Sequence, residues 1–210
     1  MTSNPVITWV WSVDARIWQA VIAGAFVSAG WVFNGWQNRR DAARLRAERL
    51  RDVHRALYAE IGTTVANLIG PQTLAAQGKE MIVLMRENPA FVPFIPREHG
   101  DHIFDAVIPE IHILPRRTID PIVAYYSQIK TLAAHSEDMR GKGFTAMAQS
   151  RRIAMYEDYI AMKQQLVDFG LFATAMIKAY ADGGDAAADR VSAQFNNPDA
   201  GRSGRSQGSV

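Results

Sequence analysis

IWQAVIAGAFVSAGWVFNGWQN, residues 17–38, contains no Asp, Glu, Lys or Arg. Arg16 stands before it, and Arg39 and Arg40 close it. All five tryptophans of the chain (Trp9, Trp11, Trp18, Trp31 and Trp36) fall in its first 36 residues. At about 1.5 Å rise per helical residue, Trp18 and Trp36 are roughly 27 Å apart along a helix, close to the ~30 Å hydrocarbon core of a bilayer. An indole pairs an apolar body with one N–H that seeks water or a headgroup, so it suits the two borders of such a core. The stretch is expected to be a transmembrane helix over residues 14–38, with Trp18, Trp31 and Trp36 at the interface and the lipid bilayer as its partner.

Three other origins of such a stretch compete. A buried helix of a water-soluble fold needs neither paired indoles nor flanking arginines. A cleaved signal peptide would use Val27-Ser28-Ala29 as its small-residue site, but the apolar run continues through Trp31-Val32-Phe33. A helix lying in the interface would carry a charged face, and residues 17–33 carry none.

Charge asymmetry sets the expected orientation. Arg39, Arg40, Arg44, Arg46, Arg49, Arg51 and Arg55 follow the span, against Asp41, Glu48 and Asp52, whereas Arg16 with Asp14 precedes it. Cytoplasmic flanks carry the basic excess. Residues 1–13 then form a short interfacial lead-in outside, and residues 39–182 form a domain in the cytoplasm of a bacterial inner (plasma) membrane. Arg39, Arg40, Arg44 and Arg46 are expected to hold topology and meet anionic headgroups. Ala20, Gly24 and Ser28 recur every four residues, a spacing that lets membrane helices approach and makes a self-associating face conceivable.

Beyond the anchor the 210 residues leave room for one domain of modest size, and the net charge of +2 is nearly balanced. The sequence pI of about 9.0 reflects the juxtamembrane arginines, and with no base-reading fold in view no nucleic-acid partner is expected. The absence of cysteine decides nothing about compartment. Leu50, Val53, Leu57, Ile61, Val65 and Leu68 form one helical stripe, ended by Gly70-Pro71. A short helix is expected from Pro71 to Glu87, weakened by Gly78, and then an irregular proline-aromatic connector, NPAFVPFIPREHG, over 88–100. Asp101 can cap a helix ending near Pro109. Another opens after Leu114-Pro115, with SEDMRGKG (136–143) as a turn. Met155, Tyr159, Met162, Leu166, Phe169, Ala173, Met176 and Tyr180 alternate steps of four and three, and Ile160, Val167 and Ile177 widen that stripe to the width of a bundle core. Residues 183–210 are poor in large apolar groups and are expected to be a disordered tail. The fold class expected is all-α: a transmembrane helix continuing into a long helix, an antiparallel helical bundle, and that tail.

Within residues 103–132, Phe104-Asp105-Ala106 leads to Ile113-Leu114-Pro115 and then to Tyr125-Tyr126. This arrangement resembles a stretch in uncharacterised single-pass, membrane-anchored helical proteins of proteobacteria, where glycine more often stands at the place of His112. The resemblance implies a helical fold and a membrane location; it brings no activity.

Glu98-His99-Gly100-Asp101-His102, with Asp105 a turn later, is the sharpest chemical constellation. Imidazole and carboxylate suit zinc-like cations, making His99, Asp101 and His102 the candidate ligands, but no H-E-x-x-H or distant third ligand supports them. His54, His112 and His135 are scattered singly and are expected at the surface or its edges. No nucleophile elbow, cysteine or phosphate-cradling loop is present. The sequence therefore leads to a non-catalytic membrane protein without cofactor, an adaptor or scaffold that partners itself or another protein. A metal-dependent enzyme centred on His99 and His102, and an envelope- or phage-associated lysis or stress protein, are the alternatives.

Overall fold

The computed structural model describes residues 15–68, 71–98 and 101–196, and no strand occurs among them. Its helices are α1 (Ala15–Asn67), α2 (Pro71–Glu87), α3 (His102–Val107), a 3-10 segment (Ile108–Ile113), α4 (Arg116–Arg140), α5 (Lys142–Ala146) and α6 (Gln149–Asn196). The chain divides into two compact units at residues 49 and 50.

The first unit contributes residues 15–49 of α1. Its apolar window meets the length and composition of a membrane-crossing helix, and none of that window is buried within the protein. Arg39 and Arg46 fold their guanidinium Nε–H groups back onto the carbonyls of Gly35 (3.0 Å) and Ala42 (3.2 Å), and Arg44 pairs with Glu48 at 3.8 Å. The lead-in of residues 1–13, with Asp14, lies outside the described residues.

The second unit is all-helical among its described residues, with one buried apolar core. The expected stripe on residues 50–68 turns inward: Leu57 and Ile61 are fully buried, and Leu50, Val53, Val65 and Leu68 pack around the core. The α6 stripe does the same through Tyr159, Leu166, Ala173 and Met176. From α4 come Ile122, Tyr125, Tyr126, Ile129 and Leu132. The rings of Phe104 and Tyr126 stack with centroids 4.0 Å apart, and Tyr125 meets Tyr126 edge-on at 5.0 Å. Glycine permits the tightest approach: a methyl group at Gly170 would collide with Val65 and stand 3.0 Å from Tyr125. At Gly78 it would meet Ile160 at 3.0 Å, so this residue serves packing between α2 and α6.

Two boundaries depart from expectation. The polar run after Ser136 is not a turn; α4 continues to Arg140 because Ser136 and Met139 are buried on the Leu132 face, Ser136 donating to the Ala133 carbonyl at 2.8 Å. Nor is the region after residue 182 a tail throughout. The α6 helix breaks at Gly183 and at Gly184, whose φ of 62° favours glycine, and helix resumes to Asn196. This last arm folds back: Phe195 lies 4.7 Å from Phe172, where a straight helix would separate them by roughly 34 Å. The small side chains of Ala187 and Ala188 are buried and let the arm approach closely just after the break. Residues 197–210 lie outside the described residues.

Candidate functional site

The residues of the expected transmembrane helix are almost all exposed. Trp18 and Trp36 are separated by 18 residues, about five helical turns, and so share a face; Trp31 points elsewhere. Ten large apolar side chains between Ile17 and Trp36 are exposed. The Arg40 guanidinium lies 5.5 Å from the Trp36 ring centroid, which joins the cationic flank to the last indole. Ala20, Gly24 and Ser28 are exposed, and nothing approaches the Gly24 Cα on its side-chain side. Ser28, Ala29, Val32, Phe33 and Trp36 border a shallow apolar groove on the same helix.

In the second unit, the chemically capable side chains clamp the irregular connector. Asp101 precedes α3 but forms no side-chain cap; a distant residue does that work. Glu60, on α1, accepts the Ile103 N–H at 2.7 Å and the Phe104 N–H at 3.2 Å, and the Tyr126 hydroxyl donates to it at 2.5 Å. A carboxylate from another helix thus satisfies the orphan donors of α3. Burial first, and then the bond to Glu60, drive the Tyr126 phenol well above its ordinary range. The buried Tyr125 hydroxyl lies beside Thr64, whose own hydroxyl donates to the Glu60 carbonyl at 3.0 Å. Burial pushes Tyr125 up to about 12.

The connector is gripped at both ends. Arg152, buried, donates to the carbonyls of Pro89 and of Phe91, the latter at 3.4 Å. Gln149 donates to the last carbonyls of α2, Met85 at 2.7 Å and Arg86 at 3.0 Å. At the far end Glu98 accepts from the Tyr159 hydroxyl at 2.5 Å and pairs with Lys163 at 2.9 Å, whose ammonium also lies 4.9 Å from the Tyr159 ring. Burial, and then the Glu98 bond, raise the Tyr159 phenol strongly.

This pairing bears on the metal candidates. Asp101 and Asp105 both turn to the Lys130 ammonium, at 3.6 and 2.8 Å, and the Asp105 bond is the main cause of the raised Lys130 pKa. His102 is exposed and His99 lies outside the described residues. Among the described residues no three His, Asp or Glu side chains converge as a metal site.

His54 corrects an expectation. It is 5% exposed, meets Tyr180 edge-on at 5.6 Å, and its Nε2 lies 3.0 Å from the Thr118 hydroxyl. The same Thr118 hydroxyl lies 3.2 Å from the Pro115 carbonyl, so it can accept from a protonated Nε2 while donating to that carbonyl, or donate to a bare Nε2. Burial lowers the His54 pKa to about 4, and the ring is neutral at pH 7. His112 is exposed, and half-buried His135 meets the Met155 carbonyl at 3.0 Å.

Glu60, Arg152 and Gln149 were not singled out by sequence spacing. Each is a polar residue interrupting or bordering a helical stripe, and that interruption was the one signal available. Comparison of the chain with protein-family models, curated proteins and solved structures finds no match in any of the three.

Proposed function

We propose that residues 17–38 cross a lipid bilayer and that the chain is a non-catalytic adaptor or scaffold, its bundle held on the cytoplasmic side of a bacterial inner membrane. The carrying observation is an apolar helix window with none of its surface buried. Fully burying one large apolar side chain is worth about 1.5–3 kcal/mol, so ten left in water would be a heavy standing cost that lipid removes. The Arg40–Trp36 contact and the following arginines favour a headgroup border at that end and an inward-facing bundle. Paired contacts that ascend on one helix and descend on the other, Gln128 with Met162 and His135 with Met155, support an antiparallel run of α4 with α6. The adaptor role is supported by the occupation of Glu60 and Arg152 in holding backbone and of Glu98 in holding Tyr159 and Lys163, which leaves them little freedom for chemistry.

The absence of cysteine makes the test clean. Ser150→Cys on the exposed start of α6 should resist a membrane-impermeant maleimide in intact spheroplasts and react after lysis, while Ser3→Cys should react in both. Labelling of Ser150→Cys in intact spheroplasts would place the bundle outside, as the lysis or envelope-stress alternative requires. Recovery of the untagged chain in the supernatant after alkaline carbonate extraction would overturn the span itself.

A further inference from the structure

The folded-back arm of α6 closes one side of a cavity of about 530 Å³ inside the second unit. That volume lies in the usual range for small-molecule sites. Pro121, Phe169, Phe172 and Met176 supply an apolar wall, and Arg116 and Asp120 stand beside it. Arg117 and Asp189, also on the lining, pair with each other at 3.0 Å and strap the arm to α4. That bond leaves one guanidinium, Arg116, and one carboxylate, Asp120, without a charged partner among the described residues. They are four residues apart on α4, a spacing at which opposite charges ordinarily pair.

The backbone adds one feature to each charge. The N–H groups of Arg116 and Arg117 precede the first bond of α4, which Thr118 makes to the Pro115 carbonyl at 3.0 Å, and Pro115 offers no side-chain cap. An anion beside Arg116 would therefore also meet the positive end of the helix. Pro121 lies inside α4 and has no N–H, which strips the Arg117 carbonyl of its usual helical donor. An ammonium group beside Asp120 would have that carbonyl as a second acceptor.

We infer that this cavity binds a small zwitterion with an apolar side chain, its anionic group on Arg116, its ammonium on Asp120, and its apolar part against Phe172 and Met176. Two sources share that chemistry: a free apolar α-amino acid, and the aminoethyl phosphate headgroup of a lipid with its acyl chains. The site lies wholly within the bundle and does not depend on the membrane reading.

The test is calorimetric titration of the full-length chain in phosphatidylglycerol nanodiscs. One arm uses L-phenylalanine and the other dihexanoyl phosphatidylethanolamine below its micellar concentration. Saturable binding in either arm, weakened at least tenfold by Arg116→Gln and by Asp120→Asn, supports the inference and identifies the source. Both substitutions lie on exposed positions, so an unchanged melting temperature separates lost contacts from lost fold. Phenylpropionate and phenethylamine, each with a single charge, should bind at least tenfold more weakly than L-phenylalanine if that arm succeeds. Silence in both arms, indifference to the two substitutions, or equal binding of the singly charged analogues overturns it.

Discussion

Phe26, Trp31 and Val32 expose 70–80% of their surface, whereas Leu57 and Ile61, on the same α1 helix, expose none. The residue types hardly differ; the pattern around them does. Residues 17–38 are apolar on every face, and no neighbouring helix of one chain can cover all faces of a lone helix. From Leu50 onward the apolar residues keep to one stripe, which α4 and α6 cover while the opposite face stays wet. An apolar helix is thus assigned its surroundings by the width of its stripe as much as by its content.

One substitution in each region should break this contrast most sharply. Ile122→Arg places an unpaired charge where exposure is zero, and is expected to cost roughly 4 kcal/mol or more, read as loss of the cooperative urea transition. Ala25→Arg should leave that transition unchanged and weaken membrane integration by about 2.5–3.5 kcal/mol, read by carbonate extraction. If Ala25→Arg unfolds the bundle, the two regions are not energetically separate.

Glu60→Ala strands two α3 N–H groups and the Tyr126 phenol, and is expected to cost about 3 kcal/mol in the same urea transition. Tyr126→Phe, which leaves the carboxylate its two N–H donors, should cost about 1 kcal/mol.

His54 adds a pH signature confined to the bundle. Its folded pKa of about 4 lies below the unfolded 6.5, so the unfolded chain binds the extra proton between those values. The neutral ring's contribution is complete above pH 6.5 and is lost as pH falls toward 4, on the order of 3 kcal/mol. His54→Gln should flatten that part of a stability-against-pH curve; an unchanged slope would show that His54 does not contribute it.

Gly170→Ala gives a small expected effect and the one most telling about packing. Alanine ordinarily favours a helix over glycine by about 1 kcal/mol. Here the collision with Val65 should reverse the sign and leave a net loss of about 1–2 kcal/mol. A higher melting temperature for Gly170→Ala would mean that α1 and α6 are less closely packed.

Period and punctuation made the helices legible: the stripe through Tyr159, Leu166 and Ala173, the stop before Pro71, the restart after Pro115. What failed to show were features settled by distant partners. Ser136 and Met139 extend α4 because a neighbouring surface covers them, and Ala187 and Ala188 dock through smallness, which a search for large apolar groups overlooks. His54 looked solitary because its partners Thr118 and Tyr180 lie far along the chain. Phe104 and Tyr126, which stack, and Glu60, which joins them, lie too far apart along the chain for spacing to link them.

The clamps on the connector carry a consequence for proteolysis. Residues 88–98 hold the prolines and the lone Arg97 that make a tempting protease target on paper. With Arg152 fastening the carbonyls of Pro89 and Phe91, and Glu98 moored to Tyr159 and Lys163, that backbone cannot readily stretch into a cleavage groove. Trypsin should spare Arg97 in the native chain, and epitope tags or fusion junctions placed there would pry open an irregular strut that α6 grips from both ends.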